Sequence, residues 1–156
     1  MASELKVNTL TGVSTAGSIA VTGEGNSATT NLQQGLIKAW TFFDGSAGSL
    51  SAGDSFNESS LTDNAAGDYT FTITNAMNST SYVNTGSAEC EDNHSRGPFA
   101  LGLRIEGSTA ASTNTTTARR FEALYGSSSS ANGGALDTKQ AMIQFTGDLA
   151  RVKQQN

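Results

Sequence analysis

The strict alternation of residues 69–74, Tyr-Thr-Phe-Thr-Ile-Thr, leaves little freedom in the choice of secondary structure. Successive side chains of an extended strand point to opposite faces, so the two rings and the isoleucine share one face and the threonines share the other. The pattern predicts a β-strand with one buried and one solvated face. Turn-forming residues precede it, with Gly67 the predicted position of positive φ, so Leu61 and Tyr69 should flank a hairpin.

Other short runs indicate the same kind of element. Residues 35–45 carry apolar side chains on both faces, which predicts a central strand of a sheet that is covered on both sides. No segment has an apolar stripe of helical period over three turns. The chain therefore predicts an all-β fold, an antiparallel β-sandwich or jelly-roll-like domain over residues 35–156. The further strand candidates are residues 55–59, 99–105, 119–125 and 140–146.

The first part of the chain, residues 1–34, contains only short alternating pieces separated by glycines. These pieces are Leu5/Val7 and Ile19/Val21. Strands this short bury little apolar surface within one chain, so the segment alone would be marginally stable. We therefore predict a short N-terminal β segment that packs against other chains and serves in docking or assembly.

The charge balance excludes several classes of partner. The formal net charge is -5 and only 15% of residues are charged. The densest basic group is the pair Arg119-Arg120, whereas binding to nucleic acid requires clustered lysine and arginine, so no nucleic-acid partner is predicted. The single cysteine, Cys90, cannot form an intramolecular disulfide, which favours synthesis in the cytoplasm.

The hydropathy pattern predicts neither export nor membrane insertion. The first ten residues include Glu4 and Lys6 and lack the continuous apolar core of a secretory signal. No run approaches the ~18 apolar residues that a bilayer-spanning helix needs. We therefore expect a soluble protein.

One cluster contains the residue types of a metal or catalytic site. Residues 89–94 read Glu-Cys-Glu-Asp-Asn-His. A structural zinc site needs four ligands, commonly in paired motifs, and one cysteine with one histidine falls short of that set. Nothing nearby in sequence would orient the histidine as a base for the thiol, and no nucleophile elbow or phosphate-binding loop occurs. The interpretation is a solvated acidic loop, with no catalytic, cofactor or metal residues and no enzymatic activity.

Aromatic side chains offer a second candidate site. Stacked rings could form a platform for sugars, but each aromatic residue lies in or beside an apolar strand pattern, which favours core packing. Both readings concern the same set: Trp40, Phe42, Phe43, Tyr69, Tyr82 and Tyr125.

Several stretches together resemble tail-fibre-like structural proteins of bacteriophages, notably those of marine phages. The resemblance covers most of residues 1–82 and is carried by residues 1–10, 35–40, 54–57, 62–69 and 76–77. Its more specific parts are the Lys-Ala-Trp strand and the Thr-Asp-Asn turn that ends in Gly-Asp-Tyr. The resemblance implies a non-enzymatic virion protein, a homotrimer whose N-terminus docks on other phage structural proteins.

Three functions follow as hypotheses. The first is a tail fibre or tail appendage that displays loops to a host-surface glycan or protein. The second is a capsid decoration protein that holds neighbouring shell subunits together. The third is a small carbohydrate-binding module. Copy number and location on the particle separate the first two, because fibres occur in few copies at the tail whereas decoration proteins cover the shell.

Overall fold

The computed structural model describes residues 4–12, 19–23, 28–46, 50, 52–90, 99–103, 114–125 and 134–149. Contacts between Cα atoms divide the chain into two units, Met1–Leu36 and Ile37–Asn156. Most of the described secondary structure is β-strand, which confirms the all-β class. The strands are β1 (Ala20–Thr22), β2 (Thr29–Asn31), β3 (Ile37–Phe43), β4 (Ala52–Phe56), β5 (Glu58–Ala65), β6 (Asp68–Ile73), β7 (Val83–Cys90), β8 (Phe99–Leu103), β9 (Ala118–Tyr125), β10 (Gly134–Ala135) and β11 (Thr138–Thr146).

The described residues of the first unit form one small hairpin and a single helical turn. Strands β1 and β2 pair antiparallel. The helix α1 (Leu32–Gly35) follows directly, and Asn31 caps it by accepting a hydrogen bond from the Gln34 backbone N–H at 3.1 Å. The strand predicted around Leu5/Val7 is wrong, because residues 4–12 form no strand. A hairpin whose strands have three residues each, followed by one turn of helix, offers little surface on which to bury apolar side chains.

The described strands of the second unit form two antiparallel sheets. The first sheet has the order β4-β3-β11-β7. The second sheet has the order β10-β9-β6-β5, with β8 paired to β9 as well. Strand β3 lies between β4 and β11, which confirms the prediction of a central strand.

One hydrophobic core joins the inward faces of these two sheets. The Phe43 and Tyr69 ring centroids lie 5.1 Å apart, and those of Phe71 and Phe145 lie 5.0 Å apart. Each pair combines a strand of the first sheet with a strand of the second. The predicted inward row is confirmed, because Tyr69, Phe71 and Ile73 are at most 2% exposed. The remaining buried apolar residues are Ala39, Met77, Tyr82, Phe121, Ala123, Ala141 and Ile143.

A corner at Asn57 carries the chain from the first sheet to the second. The sequence predicts one short strand over residues 55–59, but two strands meet there, because Asn57 has φ of 57° and interrupts the extended backbone. Its side chain donates to the Lys38 carbonyl at 2.9 Å and accepts from the Asn75 backbone N–H at 2.8 Å. Asparagine tolerates this left-handed conformation better than most residues do.

The hairpin turn between β5 and β6 is held by a distant residue. Gly67 has φ of 67°, as predicted, and its backbone N–H donates to the Asp137 carboxylate at 2.7 Å. The Tyr69 hydroxyl lies 3.3 Å from the same carboxylate oxygen and accepts from the Thr138 backbone N–H at 3.3 Å. The turn and the first core ring of β6 therefore share one anchor, which holds the register of the hairpin.

Candidate functional site

The acidic cluster of residues 89–94 lies only partly within the described residues. Glu89 and Cys90 form the end of β7, whereas residues 91–94 lie outside the described residues. Within the described ranges, no group of three or more histidine, cysteine, aspartate or glutamate side chains is placed to hold a metal ion. The interpretation of residues 89–94 as a solvated loop remains a prediction.

The aromatic residues divide into two groups. Phe43, Tyr69 and Tyr82 belong to the core, as predicted. Trp40 and Phe42 do not: they are only partly buried and alternate with the inward residues of β3, so they lie on the outward face of the first sheet. The side chain of Tyr125 lies outside the described part of the chain. Core packing thus explains half of this aromatic set.

Strand register places further large side chains beside these two rings. Trp40 pairs with Phe56 on β4 and with Gln144 on β11. Phe42 pairs with Met142 on β11. Directly paired residues share a face, with Cβ atoms about 4.5–5.5 Å apart. These five residues therefore form one contiguous surface, which we call the outer aromatic face.

Much of this surface remains open to solvent. Phe56 is 53% exposed and Met142 is 50% exposed. A shallow groove of about 550 Å³ runs across this face from β3 over β11 to β7. It is lined by Ile37, Trp40, Thr41, Phe42, Thr85, Gly86, Ser87, Met142, Ile143 and Gln144.

A close approach of two strands positions one of the rings. An added Cβ at Gly53 would lie 3.1 Å from Cδ1 of Phe42, so the ring of Phe42 lies directly against the β4 backbone. The register between β3 and β4 also shifts between Phe42 and Phe43, next to this contact. The missing side chain at Gly53 therefore lets the Phe42 ring lie along the sheet.

Charges stand at the margins of the groove. None of the ten lining residues carries a formal charge. Asp54 pairs with Phe42 on the β4 side, and Glu89 pairs with Gln140 at the end of β7. Lys38, two positions before Trp40, is 7% exposed; burial lowers the pKa of Lys38, and Asp148 partly offsets that shift. The centre of the surface thus presents rings, a thioether, an amide and hydroxyl groups.

The outward face of the second sheet has a different character. Thr70 and Thr72 lie on it, as the alternation predicts. Asp68 is 1% exposed and forms a two-point ion pair with Arg120, whose Nε donates to Asp68 Oδ1 at 2.7 Å. Asn64 donates to Thr70 Oγ1 at 2.9 Å. The described part of this surface is polar, and its buried Asp68 is neutralised by Arg120.

Comparisons with known proteins do not identify the chain. No family model, no curated protein and no solved structure matches it. Among the described residues, no helix has the length and apolar character needed to cross a membrane. The function is therefore inferred from the residues and geometry of this chain.

The sequence contains a signal for the outer aromatic face that the core interpretation overlooked. Three neighbouring strands each carry a large apolar residue on the outward face of the first sheet: Trp40 on β3, Phe56 on β4 and Met142 on β11. A single strand with this feature is unremarkable. The pairing of all three becomes visible only when the sheet order is known.

Proposed function

We propose that this protein is a non-enzymatic structural protein of a bacteriophage particle, a tail fibre or tail appendage that attaches through its N-terminal unit. The observation that carries the proposal is the exposure of that unit's large apolar side chains. Leu5 is 79% exposed, Leu10 57% and Val21 51%. A segment of this kind gains stability by burying these side chains against other chains, which is the behaviour of an assembly element.

The finer architecture belongs to the same proposal. We propose a β-sandwich for the second unit, since two antiparallel sheets contribute aromatic rings to one core. The sequential pairs β3–β4, β5–β6 and β8–β9 lie within single sheets, which favours a sandwich of hairpins over a jelly roll. We also propose a homotrimer, because three copies of the N-terminal unit would bury side chains that one copy exposes.

A capsid decoration protein is the second candidate, and the same exposed residues favour it. Both candidates are structural proteins made in the host cytoplasm and then carried on the virion. They differ in location and number. Immunogold labelling of intact particles, with copy number from quantitative mass spectrometry, distinguishes them. Tens of copies at the tail support the appendage, hundreds over the shell support decoration, and absence from the particle refutes both.

The assembly part is tested on the purified protein by light scattering and native mass spectrometry. We expect a trimer that dissociates when Leu5, Val7 and Leu10 are all replaced by serine. Leu124→Ser is the matched control, because Leu124 is an exposed apolar residue of the second unit, at 38% exposure. A wild-type monomer at micromolar concentration would refute the trimer.

A further inference from the structure

We propose that the outer aromatic face binds an uncharged polysaccharide, with one or two sugar rings resting on Trp40 and Phe56 and their hydroxyl groups bonded by Gln144. This proposal rests on the proposed tail-appendage function and adds the chemical class of the host-surface ligand that such an appendage would recognise. The occupant follows from three properties of the surface: its charge, its area and its polar groups.

Charge selects a neutral ligand. The groove is lined by uncharged residues alone, and carboxylates stand at its margins, at Asp54 and Glu89. The whole chain carries a formal net charge of -5. A phosphate or carboxylate ligand would meet no cation within the groove and would be repelled by the margins. A neutral polyol avoids this cost.

Area favours a small ligand over another protein. Four strands about 4.8 Å apart, with five to nine residues along each at ~3.4 Å, present roughly 500 Å² of flat surface. A stable protein–protein complex buries about 800 Å² on each partner. The groove of about 550 Å³ shares Trp40, Phe42, Met142 and Gln144 with the outer aromatic face, and Phe56 adjoins it as the β4 partner of Trp40. Its volume lies within the range of small-ligand sites. The outer aromatic face is thus too small for a stable subunit contact and large enough for a short stretch of glycan.

The mixture of rings and polar groups matches a sugar in particular. A sugar ring has apolar C–H faces and a rim of hydroxyl groups, so it needs flat apolar contacts with hydrogen-bonding groups beside them. Trp40 has Phe56 on one side and Gln144 on the other, and Gln144 in turn pairs with the exposed Thr85. An amide both donates and accepts, as sugar hydroxyls do. Rings and an amide therefore stand in one row across three strands.

Trp40 also provides the probe, because it is the single tryptophan of the chain. Its fluorescence is titrated with neutral hexasaccharides, namely cellohexaose, mannohexaose and maltohexaose, and with hexagalacturonic acid as the charged comparison. We expect at least one neutral sugar to shift the emission saturably and the charged sugar to leave it unchanged. If no neutral sugar shifts it at millimolar concentration, or if the charged sugar binds equally well, the proposal is overturned.

Two variants localise the binding. Phe56→Ala and Gln144→Ala should each weaken the affinity by about tenfold or more, whereas Leu124→Ala, at an exposed apolar site on the other sheet, should leave it unchanged. Circular dichroism melting confirms that each variant is folded, and both test residues are open enough to solvent to tolerate truncation. Unchanged affinity in both folded test variants overturns the proposal.

Light scattering during the same titration separates the competing occupant. If the emission of Trp40 changes with protein concentration alone and the change follows self-association, a second copy covers the face and the glycan proposal is wrong. The result is also independent of particle labelling. Sugar binding by a protein absent from virions would refute the tail-appendage function and support the glycan ligand. A protein present at the tail that binds none of the sugars would support the appendage and refute the ligand.

Discussion

Replacing Phe71 by alanine tests whether the period-2 row of β6 forms the centre of the core. The Phe71 ring is 0% exposed, and its centroid lies 5.0 Å from that of Phe145 on the other sheet. Thr72, the next residue, lies on the opposite face and is partly buried. The two substitutions therefore probe adjacent positions of one strand whose environments differ.

The expected loss comes from three contributions. A phenyl group that removes about 100 Å² more apolar surface from water than a methyl group contributes roughly 2.5 kcal/mol at 25 cal/mol per Å². A residual cavity of about 50–100 Å³ adds roughly 1–2 kcal/mol. The lost ring pair adds about 0.5 kcal/mol or more. The total of about 4–5 kcal/mol is a large fraction of the ~5–15 kcal/mol that stabilises a typical domain.

Urea titration at one fixed protein concentration measures the difference, because association would otherwise shift the midpoint. We expect Phe71→Ala to lower the free energy of unfolding by about 4 kcal/mol and Thr72→Ala to change it by less than about 0.5 kcal/mol. The slope of the free energy of unfolding against urea concentration should be the same in both variants and in the wild-type protein. Comparable small losses in both variants would refute the assignment of this row to the core.

Three further predictions concern the turn, pH and metals. Gly67→Ala should destabilise by about 1–3 kcal/mol on thermal melting, since φ is 67° and a Cβ would lie 2.5 Å from the Leu136 nitrogen; an unchanged midpoint would refute the constraint. Burial raises the pKa of Tyr69 from 10.0 to about 12, so its phenol stays protonated in the folded protein. The contribution of this group to the free energy of unfolding should be fully present below pH 10 and be lost as pH rises towards 12. Urea titrations at several pH values should show this loss in the wild-type protein and not in Tyr69→Phe. The melting temperature should not change with EDTA, nor with Cys90→Ser or His94→Ala, and a drop of many degrees would reveal a metal site.

The amino-acid sequence by itself determined the kind of element and, where one face is apolar and the other polar as in β6, which face is buried. Alternation is local, since each side chain's direction depends on its own backbone and its neighbours, so the buried row of residues 69–73 and the central position of β3 could be read directly. The positive φ of Gly67 is equally local, because a turn at that point requires a residue without a Cβ.

Only the tertiary structure decided how these elements combine. The anchor of the hairpin turn is Asp137, seventy residues from Gly67, and no local pattern relates the two. The outward position and partial exposure of Trp40 depended on which strands flank β3. Pairing between distant strands is settled by burial and register across the whole sheet, so the strand sequences showed two apolar faces without showing which one closes the core.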